Sequence, residues 1–478
     1  MKSQLFRTKS IDALIADSEH SERRLSKTMG LWSLIALGIG AVIGSGIFTL
    51  TGTAAVGEAN RPGAGPAIAV SFLLVALACS FAALCYAELA SMIPIAGSAY
   101  TYTYATMGEL IAWIIGWDLI LEYAVSNMAV AVGFSAYFNA ILDSLFGVTL
   151  PVWLSEPPWI AGKATGAIFN LPALLIILLL SWILVRGARE SAGTNNVMVV
   201  IKLGAILAFI FGAASAVKVE NWHPFAPNGF SGIMSGAAIV FFTYIGFDSV
   251  STAAEECKNP KRDMPIGILL TLLLCAILYA SVALVLTGIV DWKTLGNAAP
   301  VANALKQIGY THLNIAVSAG AIVGMLSSLL VFQYGQARVW FAMSRDKLLP
   351  DVFSNVHPKF KTPHVSTWVA GLVVGIPAGL FDIGTLADLS NIGTLFAFIL
   401  VSIGVIIMRR TQPNRPRSFR VPWVPLLPMI SVIACLGLMI SLPTETWVRF
   451  FVWLLIGLVI YGFYGRNRTA NIVGKFNS

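Results

Sequence analysis

The sequence predicts an all-α integral membrane protein with about twelve transmembrane helices. The first observation is composition: 57% of the 478 residues are hydrophobic and only 11% are charged, whereas soluble domains carry about 25% charged residues. The second is length, since many apolar stretches reach the roughly 20 residues that a helix needs to cross a bilayer. The third is a glycine-interrupted apolar helix that occurs twice, at residues 38–48 and 241–249.

The apolar stretches predict twelve spans in chain order. They cover residues 30–56, 67–91, 109–142, 170–186, 194–217, 231–255, 265–289, 312–342, 364–381, 384–408, 422–442 and 446–464. The third and the eighth are long enough to extend beyond the hydrocarbon core.

We interpret the net charge of +8 as a consequence of the membrane topology and not as a sign of affinity for nucleic acid. With the N-terminus in the cytosol, 24 of the 31 lysines and arginines fall in inner segments and six in outer segments. Because cytoplasmic loops carry the excess of basic residues, we expect a multi-pass protein of the cell membrane with both termini in the cytosol. Residues 1–28, which have no cleavable apolar signal region, and the tail 466–478 are the two cytosolic ends.

The two glycine breaks predict an internal repeat. Gly44 and Gly246 are separated by 202 positions, or about five spans. This spacing predicts two five-helix halves, residues 29–217 and 230–408, followed by two extra helices at 421–465. Because five is odd, the second half is inverted relative to the first. Inverted repeats with discontinuous first helices recur in transporters; chance is the alternative, since glycine is common in membrane helices.

Seven motifs spread over nearly the whole chain beyond residue 28 carry a family resemblance. They are GAVIGSGIF at 40–48, CYAEL at 85–89, PIAGSAY at 94–100, FFTYIGFD at 241–248, EECKNPKRDMP at 255–265, MSRD at 343–346 and NIGTL at 391–395. With them the chain resembles the amino acid–polyamine–organocation transporters, in particular bacterial homologues of the cationic amino acid transporter branch. The resemblance implies a five-plus-five inverted-repeat fold with discontinuous helices 1 and 6, and alternating access of an amino acid site.

A break in a helix offers both groups that a zwitterionic amino acid needs. The new helix begins with free N–H groups and a positive dipole end, while the preceding half ends in free carbonyls. At the first break we predict that the N–H groups of Ser45, Gly46 and Ile47 hold the carboxylate and that the carbonyls of Val42 and Ile43 take the ammonium.

The second break completes the predicted substrate site. The carbonyls of Phe242 and Ile245 join the ammonium site, and the family resemblance implies that the Phe242 ring covers the substrate as an aromatic gate. Gly44 and Gly246 are candidates for gating or structural roles at the two breaks. The alternatives are tight helix packing through small residues for the glycines and ordinary packing for Phe242.

Lys202 is the only lysine inside a predicted span. An unpaired ammonium in the bilayer is costly and is by default a functional hypothesis. Lys202 resembles the span-5 lysine that in proton-coupled relatives occupies the place of a sodium ion, which implies that it bridges spans 1 and 8 when charged and releases them when neutral. Snorkelling to the interface is the alternative, because Lys202 lies only about eight residues, on the order of 12 Å, into its span.

Two acidic residues complete the candidate list. The family resemblance implies that Glu122, in the middle of span 3, links the core to the moving helices near the substrate, where it either carries a proton or hydrogen-bonds the broken helix. A purely structural hydrogen bond is the alternative for Glu122. Asp248, just past the second break, either caps the half-helix after it or helps to gate the site.

Phe332 bears on the substrate class. It lies where span 8 faces the side-chain pocket, and a small residue there would leave room for a long cationic side chain. Phenylalanine fills that room, and apart from Glu122 no carboxylate is placed to meet a guanidinium. The sequence therefore departs from the cationic branch that it resembles.

The predicted function is a secondary active transporter that imports small or neutral L-amino acids by alternating access, coupled to protons. The alternatives are a transporter or exchanger of cationic amino acids or polyamines, and an amino acid sensor that does not transport. No enzyme activity is expected, because no nucleophile–base pair or metal cluster lies at mid-span. No cofactor, metal or nucleic acid is implied. The expected partners are the substrate, the coupling proton and membrane lipids, and the sequence identifies no protein partner.

Overall fold

The structure is a computed structural model that describes residues 8–12, 15, 27, 29–58, 61–95, 97–160, 163–186, 189–360 and 362–465. The tail 466–478 and most of segment 1–28 lie outside the described residues. The helices in chain order are α1 Leu31–Val42, α2 Ser45–Val56, α3 Ile68–Met92, α4 Ser98–Thr106, α5 Glu109–Phe146, α6 Val152–Ser155, α7 Leu171–Arg186, α8 Arg189–Ala213, α9 Gly229–Val240, α10 Pro260–Ile289, α11 Pro300–Gln307, α12 Thr311–Arg345, α13 His364–Ala378, α14 Ile383–Thr411, α15 Leu426–Ile440 and α16 Thr444–Ile460. Two small hairpins pair β1 Gly57–Glu58 with β2 Arg61–Pro62 and β3 Trp159–Ile160 with β4 Lys163–Ala164.

The predicted spans correspond to helices of the described structure. Eight helical stretches are long and apolar enough to cross a membrane, and the bent pair α1 and α2 makes a ninth. Three shorter apolar helices, α7, α13 and α15, lie at the remaining predicted spans. The third and eighth spans form the longest helices, α5 with 38 residues and α12 with 35.

Both predicted interruptions are present. α1 ends at Val42 and α2 begins at Ser45, with a bend of 41° between them. α9 is followed by a 3₁₀ turn, Phe241–Tyr244, and then by a 3₁₀ segment, Phe247–Glu256. Gly246 joins the last two with a φ of +115°, a left-handed conformation that glycine adopts without the penalty of a Cβ. The inverted relation between residues 29–217 and 230–408 stays a prediction.

Helix packing places the broken segments inside the molecule. α3 packs along α10, and α5 packs against both α12 and α14. α1 contacts α8, α10 and α12, so its break is enclosed by other helices. The outer helices instead expose large apolar side chains, such as Leu273 of α10 and Ile433 of α15. Apolar surfaces of this kind face lipid in a membrane protein, whereas irregular backbone is tolerated only in the interior.

The two ends of the helices carry separate groups of charged residues. One end, here called the Arg415 face, bears Lys9, Asp12, Glu88, Asp346 and Arg415. The opposite end, here called the Arg61 face, bears Glu58, Arg61, Asp143, Lys306 and Asp388. The broken segments lie between these two faces.

Candidate functional site

Among the residues that the structure describes, no acceptor meets the donors in the first turn of α2. No side chain caps the helix, and within the described residues the N–H groups of Ser45, Gly46 and Ile47 find no hydrogen-bond acceptor. The Ser45 hydroxyl is buried and equally without a partner. Buried donors without acceptors cost free energy. A helix N-terminus with free N–H groups therefore favours an anion such as a carboxylate.

The two breaks are in direct contact. A Cβ added to Gly46 would lie 2.7 Å from Thr243 Cγ2 and 3.3 Å from Phe242 Cδ1. A Cβ on Gly246 would lie 2.9 Å from the Cβ of Ala41. The absence of side chains at both glycines thus lets the broken segments approach each other, and it places the buried Phe242 ring beside the first turn of α2. This is where the aromatic cover was predicted; its role as a gate stays a prediction.

At the first break, the two carbonyls predicted to take an ammonium already have donors. The Val42 oxygen accepts from the Gly44 N–H at 3.0 Å and lies 2.9 Å from the Tyr279 hydroxyl. The Ile43 oxygen lies 2.8 Å from Lys202 Nζ and 3.0 Å from Ser328 Oγ. A substrate ammonium at these oxygens must share or displace those donors. Their part in substrate binding stays a prediction.

Lys202 is completely buried and reaches the end of α1. Its Nζ lies 3.3 Å from the Ile39 oxygen, 2.9 Å from that of Gly40 and 2.8 Å from that of Ile43. The ammonium points into the protein, so snorkelling does not describe its position. The space is provided by Gly324 of α12, where an added Cβ would lie 3.1 Å from that of Lys202.

Ser328 of α12 hydrogen-bonds to two of the carbonyls that Lys202 binds. Ser328 Oγ lies 2.7 Å from the Gly40 oxygen and 3.0 Å from the Ile43 oxygen. α8 and α12 are therefore linked through the last turn of α1 rather than by a direct hydrogen bond of the lysine to α12. Proton transfer through Lys202 stays a prediction, but a change in its charge would act directly on the backbone at the first break.

Buried carboxyl groups on α5 and on the second 3₁₀ segment form another set of candidates. Glu122 and Asp118 are one turn apart on the same side of α5, and Asp248 is in the first turn of the second 3₁₀ segment. All three are buried, and within the described residues both Asp118 oxygens and Glu122 Oε2 lack hydrogen-bond partners. Sequence analysis missed Asp118, although its spacing of four from Glu122 placed the two together.

Phe332 lies on the face of α12 that looks toward the break. It follows Ser328 by one helical turn and is buried, with its ring edge-on to Tyr123 at a centroid distance of 6.0 Å. One turn further, Gln336 is buried, and within the described part of the chain neither of its amide atoms finds a partner. Sequence analysis did not single out Gln336, because a glutamine in an apolar helix gives no motif.

Ion pairs close both faces around this centre. On the Arg61 face, Arg61 lies 2.6 Å and 3.1 Å from the two Asp388 oxygens and 2.6 Å from Glu58, so it ties the β1–β2 hairpin to α14. On the Arg415 face, Asp346 lies 2.6 Å from Lys9 Nζ and 2.6 Å from the Tyr100 hydroxyl. Neither pairing was predicted, because the partners are far apart in sequence.

Together, these features define a multi-pass membrane protein whose two broken helices meet around backbone donors that find no acceptor in the described part of the chain. The sequence profile of the amino acid permease family matches residues 29–463. The chain therefore belongs to the amino acid permease family.

Several relatives cover the chain almost from end to end. A branched-chain amino acid permease, BcaP of Bacillus subtilis (strain 168), is 49% identical and covers 98% of this chain and 99% of its own. A methylthioribose transporter of the same organism is 48% identical over 98% of this chain and 99% of its own. Cationic amino acid transporter 9 of Arabidopsis thaliana, described as chloroplastic, is 37% identical over 86% of this chain and 72% of its own.

Proposed function

We propose that this protein is a secondary active transporter that imports small or neutral L-amino acids by alternating access. The observation that carries the proposal is the set of unpartnered N–H groups at Ser45, Gly46 and Ile47, under the Phe242 ring and at the contact of the two breaks. A carboxylate satisfies these donors and the positive end of α2. Membership of the amino acid permease family supports the same substrate chemistry.

The neutral substrate class is supported by the pocket wall. The Phe332 ring, on the side of α12 that faces the break, packs edge-on against the ring of Tyr123 from α5. Such a wall suits a small or branched aliphatic side chain and takes up the space that a lysine or arginine side chain needs. Two relatives that are almost equally identical to this chain are named for different substrates, one for branched-chain amino acids and the other for methylthioribose. The free donors favour the amino acid, because a neutral thiosugar has no carboxylate.

We further propose that transport is coupled to protons through Lys202. As an ammonium it binds three carbonyls at the end of α1, and charge-assisted hydrogen bonds are the stronger kind. Loss of the proton weakens those bonds and lets α1 move relative to α8 and α12. Glu122, with Asp248 near the second break, is the second candidate for a titrating group.

The proposed membrane arrangement follows the basic residues. Residues 29–217 and 230–408 form the inverted repeats, α15 and α16 are the two extra helices, and the Arg415 face with both termini is cytosolic. The Arg61 face is then extracellular. Opening of the ion pairs on either face would give access to the site from that side.

Uptake by purified protein in liposomes tests the proposal. Radiolabelled alanine, leucine, arginine and methylthioribose are compared, each with and without an inward proton gradient and with and without sodium. The proposal predicts uptake of alanine and leucine that follows the proton gradient and is indifferent to sodium. Transport of arginine or methylthioribose in preference to both neutral amino acids would contradict it.

A further inference from the structure

A second cleft lies on the Arg415 face, away from the broken helices. It has a volume of about 700 Å³ and lies between the ends of α3 and α14, the start of α10 and the N-terminal segment. Its polar lining includes Lys261, Gln412, Asn414, Arg415 and Ser418. This volume falls within the roughly 300–1,000 Å³ of small-molecule sites. The transport mechanism proposed above makes no use of the cleft.

In this cleft the guanidinium of Arg415 binds the carboxylate of Asp12, a residue of the same chain. Its Nη2 lies 2.8 Å from Asp12 Oδ1, and its Nη1 lies 3.5 Å from Asp12 Oδ2. The side chain of Arg415 is 19% exposed, whereas that of Asp12 is 82% exposed. The guanidinium is therefore built into the wall, and the carboxylate lies against it from outside. The same fork of N–H donors fits a phosphate as well as it fits a carboxylate.

At neutral pH the Asp12 side chain that binds Arg415 is a charged carboxylate. Hydrogen bonding and attraction to Arg415 hold the pKa of the Asp12 carboxyl below its usual range. A group with a lowered pKa stays ionised above that range and loses its charge only in acid. An incoming anion at neutral pH must therefore compete with the Asp12 carboxylate for Arg415.

The wall that presents Arg415 is rigidly held. Glu88 of α3 is fully buried and accepts from Arg409, at 2.8 Å and 2.7 Å, and from Arg417 at 3.1 Å. It also accepts from the backbone N–H of Val421 at 2.7 Å. Arg417 in turn donates to the Arg415 carbonyl at 2.8 Å. These hydrogen bonds fix the loop after α14 near its start and near its end. Arg415 is therefore held in position before any ligand binds.

Lys261 supplies a second cation to the cleft. It lies in the first turn of α10 and is exposed, and among the described residues it has no carboxylate partner. Two cations thus face one displaceable carboxylate, with amide and hydroxyl groups of Gln412, Asn414 and Ser418 around them. We propose that this cleft binds a phosphate group, which displaces Asp12 from Arg415.

The phosphate can belong to a phospholipid head group or to a soluble compound. A lipid is supported by exposed apolar side chains that lie further along the chain from the residues that line the cleft. These are Ile266 near the start of α10 and Leu426 and Met429 at the start of α15. A soluble phosphate compound would use the same cations without those apolar side chains.

Displacement of Asp12 acts on the N-terminal segment. Lys9 lies three residues before Asp12 and pairs with Asp346 at the end of α12, where the Tyr100 hydroxyl also binds. Release of Asp12 removes one of the two ion pairs that hold residues 9–12 against the Arg415 face. Phosphate binding therefore loosens the attachment of residues 9–12 to the Arg415 face, which is the proposed cytosolic face.

Two binding measurements on the full-length protein test the site and its source. In phosphatidylcholine nanodiscs, inorganic pyrophosphate is titrated and the shift in Tm is followed. In nanodiscs that also contain phosphatidylglycerol, native mass spectrometry counts the phosphatidylglycerol molecules retained. Saturable binding in the first assay assigns a soluble ligand, and retention in the second assigns a lipid; either supports the site, and binding in neither overturns it.

Variants separate the site from general attraction to a basic surface. Arg415→Gln and Lys261→Gln should each weaken binding about tenfold, since a hydrogen bond to a charged group contributes about one factor of ten or more. Arg420→Gln and Arg262→Gln remove the same charges from exposed positions outside the cleft and should leave binding unchanged. Asp12→Asn removes the competitor and should tighten binding severalfold. Equal losses in the control variants, or no gain in Asp12→Asn, would overturn the proposal.

Discussion

Gly46 is the residue at which the proposed carboxylate site is most sensitive to a side chain. In Gly46→Val the side chain would occupy the space between the first turn of α2 and the Phe242 ring, because even a Cβ would lie 2.7 Å from Thr243. We expect substrate binding to fall by at least about 100-fold, since several hydrogen bonds to a charged group are lost together. Thermal shift with alanine and leucine measures the loss.

The matched control for this variant is Gly204→Val in α8. An added Cβ at Gly204 meets no atom within 4 Å, so the same substitution should leave binding intact. If Gly46→Val bound alanine as tightly as Gly204→Val does, the carboxylate site would lie elsewhere.

In the proposed site, Phe332 limits the size of the side chain that is accepted. Phe332→Ser removes a buried ring beside Tyr123 and opens a cavity that a longer side chain can fill. Competition by arginine, ornithine and lysine against leucine uptake should rise relative to competition by alanine. Phe332→Leu keeps most of the volume and should keep the wild-type profile. An unchanged profile in Phe332→Ser would show that the residue does not line the pocket.

At the scale of elements, the β1–β2 hairpin and α14 are joined by a buried ion pair. The side chains of Arg61 and Asp388 are only 11% and 10% exposed. Removal of Arg61 leaves the Asp388 charge buried without this partner, which costs about 3–5 kcal/mol for such pairs, whereas removal of Asp388 costs less because Arg61 keeps Glu58. Arg61→Gln and Asp388→Asn should each lower Tm, and the double variant should lose much less than the sum of the two.

The same face provides a control for this double-mutant cycle. The Lys306–Asp143 pair has a similar distance of 2.7 Å, but its side chains are 64% and 38% exposed. Exposed pairs contribute about 0–1 kcal/mol, so Lys306→Gln should leave Tm nearly unchanged. Additive losses at Arg61 and Asp388 would mean that the two residues stabilise the protein independently.

Some features of the candidate site could be predicted from the sequence. The interruptions at Gly44 and Gly246 were predictable, because glycine between apolar residues in the middle of a span is a local signal. Lys202 could be singled out from the sequence as the only lysine within a predicted span, but the choice between a buried position and snorkelling needed the structure. Its sharing of the Gly40 and Ile43 carbonyls with Ser328 did not follow, because it depends on how three helices pack.

Other parts of the site leave no local signal. Arg61 and Asp388 are 327 positions apart, and nothing in either motif indicates the other. The 3₁₀ geometry of Phe247–Glu256 was likewise not predicted, since the sequence analysis treated these residues as the continuation of the predicted span 231–255. Tyr279, which reaches both the Val42 and the Thr243 carbonyls, lies in an apolar span without a motif. Contacts of this kind arise from tertiary structure alone.

At the scale of the whole molecule, orientation is the first prediction to test. With both termini in the cytosol, a membrane-impermeant thiol reagent applied to intact cells should not label a Ser478→Cys variant. It should label a Lys306→Cys variant, because the side chain of Lys306 is exposed on the opposite face. The native cysteines are all buried and give a low background. The reverse labelling pattern would invert the proposed topology.

Proton coupling through Lys202 is the central claim of the proposed mechanism, in which it would join the substrate site to the helices that move. Lys202 binds the end of α1 with three hydrogen bonds, directly beside the first break. A change in its charge therefore alters the backbone that frames the substrate. Lys202→Ala removes this charge and leaves the donors of Ser45, Gly46 and Ile47 in place.

The most direct test is leucine accumulation in liposomes under an inward proton gradient without sodium. We predict that the wild-type protein concentrates leucine above equilibrium and that dissipating the gradient abolishes this accumulation. Lys202→Ala should still bind leucine but bring it only to equilibrium. Accumulation by Lys202→Ala equal to that of the wild type, or wild-type uptake that requires sodium, would contradict the account.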